Sequence, residues 1–225
     1  MDYKASCKRV IPRIIADSAM MLLGIVALVA IVKVKTWSSV QSDALANASF
    51  EEEWRSMIAS GNTIGKVTAP IHVIEFADFE CPSCARLYRT LADAQQRYGD
   101  SLALTFIHYP LAYHRSAMPA ARASECAADQ GRFGAMYAAL FSFHDSLGVA
   151  SAQWFARTAA IPDTVRFGSC MNGLDTMPRI RQGIELGKRI HLRGTPTVLI
   201  NGWRCSSSST PAGFDSIVRA IAARR

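Results

Sequence analysis

Short apolar runs rich in β-branched residues alternate with longer stretches of helical periodicity along most of the chain. Ile71 to Ala77 (IHVIEFA) has the length and character of a strand. Its near-continuous apolar run predicts a central strand covered on both faces. A helical pattern follows, with Leu87, Leu91 and Ala94 on one side and Arg86, Arg89, Asp93 and Gln96 elsewhere, closed by Gly99-Asp100. Ser101 to Tyr109 (SLALTFIHY) is a second strand, stopped by Pro110, so this segment reads β-α-β. Residues from 116 to about 188 are dominated by helix formers, in blocks at Ala120–Ala128, Arg132–Phe143 and Ser151–Ala160. Thr197 to Ile200 is a third strand, Asn201-Gly202 signals a hairpin turn, and a fourth strand is expected near Trp203–Ser206. Phe214 to Ala223 places apolar residues at 214, 217, 218 and 221, the spacing of an amphipathic helix. Upstream, Ser49-Phe-Glu-Glu52 opens like a capping box and predicts a short helix through Ala59, ended by Gly61. The expectation is one α/β domain over 62–225, interrupted by a helical block at about 115–188, with 35–61 as linker and short helix.

A different pattern precedes it. Ala19 to Val32 (AMMLLGIVALVAIV) is unbroken apolar sequence, and the extension Ile14–Val34 reaches the roughly 20 residues of a membrane span. Lys4, Lys8, Arg9 and Arg13 precede it, and Lys33 and Lys35 follow. The positive-inside bias therefore leaves residues 1–13 in the cytoplasm and exports the rest. A cleaved signal peptide is the rival reading, but the small-x-small sequences at Ala44–Ala48 lie far beyond the apolar run. The expectation is a single-pass anchor at 14–34 in the cytoplasmic (inner) membrane. It would present the domain to the periplasm or extracytoplasmic space through a small, polar tether at 36–48.

Charge follows the same division. The net charge of +7 splits into +4 over residues 1–35, where those six basic residues face Asp2 and Asp17, and +3 over the remainder. With no basic stripe and no interleaved aromatics, nucleic-acid binding is not expected. Six cysteines stand at 7, 81, 84, 126, 170 and 205. With Cys7 inside the cell, five face a compartment where disulfides persist. Five is odd, so one of them is unpaired or pairs between chains.

The candidate chemistry is Cys81-Pro82-Ser83-Cys84, set where a strand gives way to a helix. A cysteine at a helix N-terminus meets unpaired N–H groups and the positive end of the dipole, which favour the thiolate. The thiolate is the attacking species in disulfide exchange, and two intervening residues let a second sulfur reach back to close a small ring. Pro82 suits the first helical turn, since it lacks only an N–H that would be unpaired there anyway. Cys81 then reads as nucleophile and Cys84 as resolving thiol. Zinc sites and structural bridges also use Cys-x-x-Cys, but no second pair is present and none of the five histidines has ligand spacing with another, so no metal is expected.

Glu75-Phe-Ala-Asp-Phe-Glu-Cys-Pro-Ser-Cys84 resembles the active-site segment of the DsbA-like thiol–disulfide oxidoreductases, a branch of the thioredoxin superfamily. Gly194-Thr-Pro-Thr-Val-Leu-Ile-Asn-Gly202 resembles their cis-proline loop. Ser124-Glu-Cys-Ala-Ala-Asp-Gln-Gly-Arg-Phe133 is similar to the start of their inserted helical domain. The resemblance covers residues 62–223 and implies a thioredoxin-like fold with a helical insertion. It implies that Pro196 is cis and packs beside Cys81, with Thr195 exposing a backbone edge to an extended substrate; an ordinary trans proline beginning a strand is the alternative. Pro82, Ser83, Thr195 and Pro196 would then line the substrate site.

Glu75 shares a strand face with Ile71, Val73 and Ala77, where a carboxyl group would be desolvated and its pKa raised. The resemblance makes it a buried acid that exchanges protons with Cys84, against the alternative of an exposed edge-strand glutamate. Asp78 and Glu80 read as solvated rim residues. Cys126 and Cys170 stand at positions resembling paired cysteines of some members, which implies a structural disulfide. Two free thiols, or pairing of either with Cys205, are the alternatives, and Cys205 itself reads as a shielded, idle thiol. His108 and His114 read as structural.

The activity implied is dithiol–disulfide exchange without a cofactor, acting on cysteine-containing exported proteins and recycled by a membrane redox partner. Oxidation is the expected direction, with reductase or isomerase roles open. A peptide clamp with a merely structural bridge, and a metal-delivery protein, are the rivals from other classes.

Overall fold

The strand Ile71–Ala77 (β3) lies at the centre of a sheet, in a computed structural model that describes residues 21, 25–33, 45, 48–173, 177–205 and 210–224. Its neighbours are β4 (Leu102–His108), parallel, and β5 (Thr197–Ile200), antiparallel. The parallel pair needs a crossover, and the helix Pro82–Tyr98 (α2) supplies it. Among the described residues the sheet has six strands in the order β1-β6-β5-β3-β4-β2. Here β1 is Ser49–Phe50, β2 is Asn62–Ile64 and β6 is Trp203–Arg204. The Asn201-Gly202 turn between β5 and β6 has positive φ at both residues (48° and 88°), which asparagine and glycine tolerate best.

Because β3 is covered on both sides, its alternating side chains feed two cores. Val73 and Ala77 face α2 (Leu87, Leu91, Ala94), the terminal helix Pro211–Ala222 (α8; Phe214, Ile217, Ile221) and the helical insertion. Ile74 and Phe76 face the other way, onto Trp54 and Met57 of the short helix Trp54–Met57 (α1) and onto Leu186 of Pro178–Arg189 (α7). Gly183 lets α7 lie against β4, since a Cβ there would collide with the His108 carbonyl.

The insertion comprises Ala117–Ala128 (α3), Phe133–Ser142 (α4), Ala152–Thr158 (α5) and Thr164–Met171 (α6). A disulfide joins Cys126 on α3 to Cys170 on α6, as the resemblance implied. Glu125, next to it and buried, receives His108 Nε2 of β4 at 2.8 Å, Arg179 Nη1 of α7 at 2.7 Å and the Asn62 amide of β2. One carboxylate therefore pins the insertion to the sheet edge. Burial raises its pKa, but the His108 and Arg179 partners outweigh that and hold it below the ordinary carboxylate range.

The upstream boundary differs from expectation. Residues 49–60, read as linker and a capped helix, belong to the fold. Ser49 and Phe50 pair with Arg204 and Trp203, and the capping-box hydrogen bonds are not formed at α1. Glu51 instead forms an ion pair with Arg204 at 2.7 Å. Burying Trp54 and Met57 outweighs a local cap that is worth about 1 kcal/mol. Strand β2 has too few residues to carry an alternation and was not expected.

Residues 1–13, most of the apolar run 14–34, the tether apart from Leu45 and Ala48, and the serine run 206–209 lie outside the described residues. Within the run, Met21 and residues 25–33 are helical, and no described helix is long and apolar enough to cross a membrane.

Candidate active site

Cys81 is the N-cap of α2, with extended backbone (φ −73°, ψ 119°) and Pro82 as the first helical residue. Its N–H donates to Asp78 O at 3.1 Å and its carbonyl accepts from Ala85, so the turn is fixed on both sides. The Thr195-Pro196 bond is cis and brings Thr195 O to 3.4 Å from Cys81 Sγ. Positions 114 residues apart in sequence thus meet at one sulfur.

The two thiols are free, and their environments push them in opposite directions. The Cys81 thiol is held at about 5 against an ordinary 9.0. Donation from the Cys84 thiol is the largest cause and outweighs burial; Thr195 and the N–H groups of Ser83 and Cys84 add to it. The Thr195 hydroxyl is buried with no hydrogen-bond partner among the described residues, so a Cys81 thiolate is the acceptor it gains. Cys84, fully buried, is pushed far above the ordinary thiol range by burial first, then by donating to Cys81, then by the charge of Glu75.

Glu75 stands inside the central strand with no exposed surface, opposite Phe106 on β4 and Val198 on β5. Burial pushes its carboxyl up to about 8; the Tyr137 hydroxyl, donating to Oε2 at 3.1 Å, pulls it down, and a charge on Cys81 pushes it further up. Its Oε1 has no partner among the described residues. The exposed edge-strand alternative is thereby removed. The site holds an anionic sulfur near the surface, a protonated sulfur behind it, and a carboxyl group able to hold or release a proton at neutral pH.

The family model described as "Thioredoxin" matches residues 59–220. The chain belongs to the thioredoxin family. Among solved structures it is similar to Bacillus subtilis BdbD (18% identity, TM-score 0.62, covering 73% of this chain and 95% of that one). It is likewise similar to Pseudomonas aeruginosa DsbA2 (23%, 0.54, 71% and 92%) and to Proteus mirabilis ScsC (17%, 0.63, 98% and 99%). These likenesses show the same thioredoxin-like fold. The Na(+)/H(+) antiporter NhaA 1 of Mycolicibacterium gilvum (strain PYR-GCK) is 34% identical over 164 residues. That match covers 72% of this chain but only 26% of the antiporter, so the chain spans about a quarter of the curated relatives it matches.

Two residues of this thioredoxin fold depart from expectation. Asp78 is buried, not a solvated rim residue: its carboxylate accepts from Glu80 N (2.8 Å), Leu111 N (2.9 Å) and His114 Nδ1 (2.7 Å). Glu80 is half-buried and accepts from Ser116 N, while its carbonyl contacts His144 Nε2 at 2.9 Å. The loop entering Cys81 is therefore clamped to the start of the insertion, where desolvation is compensated by donors the sequence separates by more than thirty residues. A local sign of this was present, since an aspartate that accepts from the N–H two residues on is an Asx-turn. Tyr137, 62 residues from Glu75, left no such sign. Ser83 is half-buried and accepts from Arg86 at 2.6 Å, and Pro82 is exposed beside it. Cys205 is buried and unpaired, with its thiol pushed up to about 11 by burial, as suits a shielded thiol.

Proposed function

We propose that this protein is a thiol–disulfide oxidoreductase that forms disulfides in exported proteins while tethered to the cytoplasmic membrane. The observation that carries the reading is the opposed state of two adjacent sulfurs: Cys81 at about 5, beside Thr195 O, and Cys84 buried and protonated. Stabilising the Cys81 thiolate stabilises the reduced pair, and a stable reduced pair makes its disulfide an oxidant.

In the oxidised protein a substrate thiolate attacks Cys81 Sγ. The Cys81–Cys84 bond breaks, its electron pair passes to Cys84 Sγ, and the Glu75 carboxyl, neutral below about pH 8, supplies the proton. Pairing of the substrate backbone along Thr195 holds the mixed disulfide in place. The substrate's second thiolate then attacks its own sulfur in the mixed disulfide and expels Cys81 as thiolate, the better leaving group for its low pKa. The substrate loses two electrons, which the Cys81–Cys84 pair gains, and a membrane redox partner withdraws them. No bound cofactor is required by the exchange.

The tether draws support from helical residues 25–33, whose apolar side chains are exposed (Val26 64%, Leu28 63%), and from the basic residues flanking the run. On this reading the catalytic domain stands outside the cytoplasm.

Equilibration of the full chain in glutathione buffers tests the direction. A potential above about −200 mV supports oxidation, whereas one below about −250 mV assigns a reductase. Replacing Cys81 and Cys84 by Ser separates exchange from clamping: turnover vanishes in the first case, while a clamp keeps its function. Recovery of the full chain in the soluble fraction after cell breakage would remove the tether.

A further inference from the structure

Beside the reactive pair a groove of about 610 Å³ runs between the first turns of α2 and the end of α4. That volume is within the usual range for sites that enclose a ligand or peptide segment, roughly 300–1,000 Å³. Tyr88 and Phe141 supply an aromatic surface, stacked with ring centroids 5.4 Å apart. Helix α2 contributes Arg86 and Arg89, three residues apart, on one face and both exposed. Arg86 donates to Ser83 Oγ but has no acidic partner, and Arg89 has no hydrogen bond or ion pair among the described residues. The segment after α4 contributes His144 and Asp145, the latter 3.4 Å from His144 Nδ1. Two guanidinium groups therefore stand against a single carboxylate, in a groove that begins at Pro82, the residue after the reactive sulfur.

We infer that this groove takes the acidic segment flanking the reacting cysteine of a protein substrate. The inference rests on the exchange reading above and deepens it by naming the class of substrate. Helical rise sets the register. Arg86 and Arg89 lie five and eight residues beyond Cys81, about 7 and 12 Å along the axis. An extended substrate rises about 3.3 Å per residue, so carboxylates two to four residues from its cysteine reach these guanidiniums. Arginine suits the task, since its planar fork donates two parallel hydrogen bonds to a carboxylate.

The test uses the full chain with Cys81–Cys84 oxidised and three dithiol peptides that differ only at the third and fourth residues from the first cysteine: Glu, Gln or Lys. The expected order of kcat/KM is Glu, then Gln, then Lys, with about three- to tenfold between the extremes, the worth of two exposed ion pairs. That gap should shrink in about 0.5 M salt. In Arg89→Glu the Glu-to-Lys ratio should fall to one or invert, and the ratio is insensitive to any general change in activity. Equal rates for the three peptides, a preference for Lys, or an unchanged ratio in Arg89→Glu overturns the inference. Dithiothreitol, an uncharged dithiol, is run alongside. Its oxidation without peptide discrimination removes the groove alone, whereas failure to oxidise it removes the exchange reading and the groove with it.

Discussion

Replacing Glu75 by Gln isolates the cost of an acid in the middle of the sheet. In the folded protein this carboxyl is pushed up to about 8, against an ordinary 4.5. Between those values the native protein holds a proton that the unfolded chain has released. The unfolded state binds fewer protons there, so stability falls as pH rises, by about 1.4 kcal/mol per unit. Below the unfolded value both states are protonated and nothing is lost; above the folded value both are ionised and the whole penalty is present. Across the window it amounts to about 3–5 kcal/mol, a large share of a domain's stability. Glutamine keeps the shape and cannot ionise. Denaturant melts of the reduced protein and of Glu75→Gln should therefore agree closely near the acid end and diverge through neutrality, with the variant more stable at alkaline pH. Because a charge on Cys81 adds to the rise, the window should narrow in Cys81→Ala. Parallel stability curves for wild type and Glu75→Gln from about pH 5 to 9 would refute the reasoning, since no titration would then be linked to folding at this position.

Other outcomes follow from the same structure. Alkylation of the reduced protein should follow a thiolate that titrates near pH 5 at Cys81, with Cys84 unreactive; Cys84→Ala removes the leading donor and should raise the Cys81 midpoint by at least about one unit. Asp78→Ala leaves the N–H groups of Glu80 and Leu111 and the His114 ring without their acceptor, and should cost about 2–4 kcal/mol in denaturant melts. Replacing Cys126 and Cys170 together by Ala opens a loop with a sequence separation of 44 and should destabilise by about 2–4 kcal/mol, read the same way with Cys81–Cys84 kept reduced.

Much of the fold was legible because its signals are local. The β3 run and Thr197–Ile200 match the observed strands in full, and the Asn-Gly turn stands where expected. The placement of Cys81 at a helix N-terminus needed only a strand, a proline and a helical period, all within about twenty residues. The cis bond at Thr195-Pro196 and the bridge from Cys126 to Cys170 are implied by the family resemblance alone, since nothing in their spacing determines them.

By itself, then, the sequence determined the elements and the reactive pair, because periodicity, turn chemistry and helix-terminal electrostatics act between near neighbours. Only the tertiary structure decided that Glu75 is wholly enclosed and meets Tyr137, that Asp78 is a buried acceptor, and that residues 49–60 join the sheet and its second core. Each of those depends on desolvation and on partners brought from distant parts of the chain. A carboxylate on a strand reads the same in sequence whether water or a hydroxyl group faces it. What distinguishes the two is which surfaces the fold closes over it.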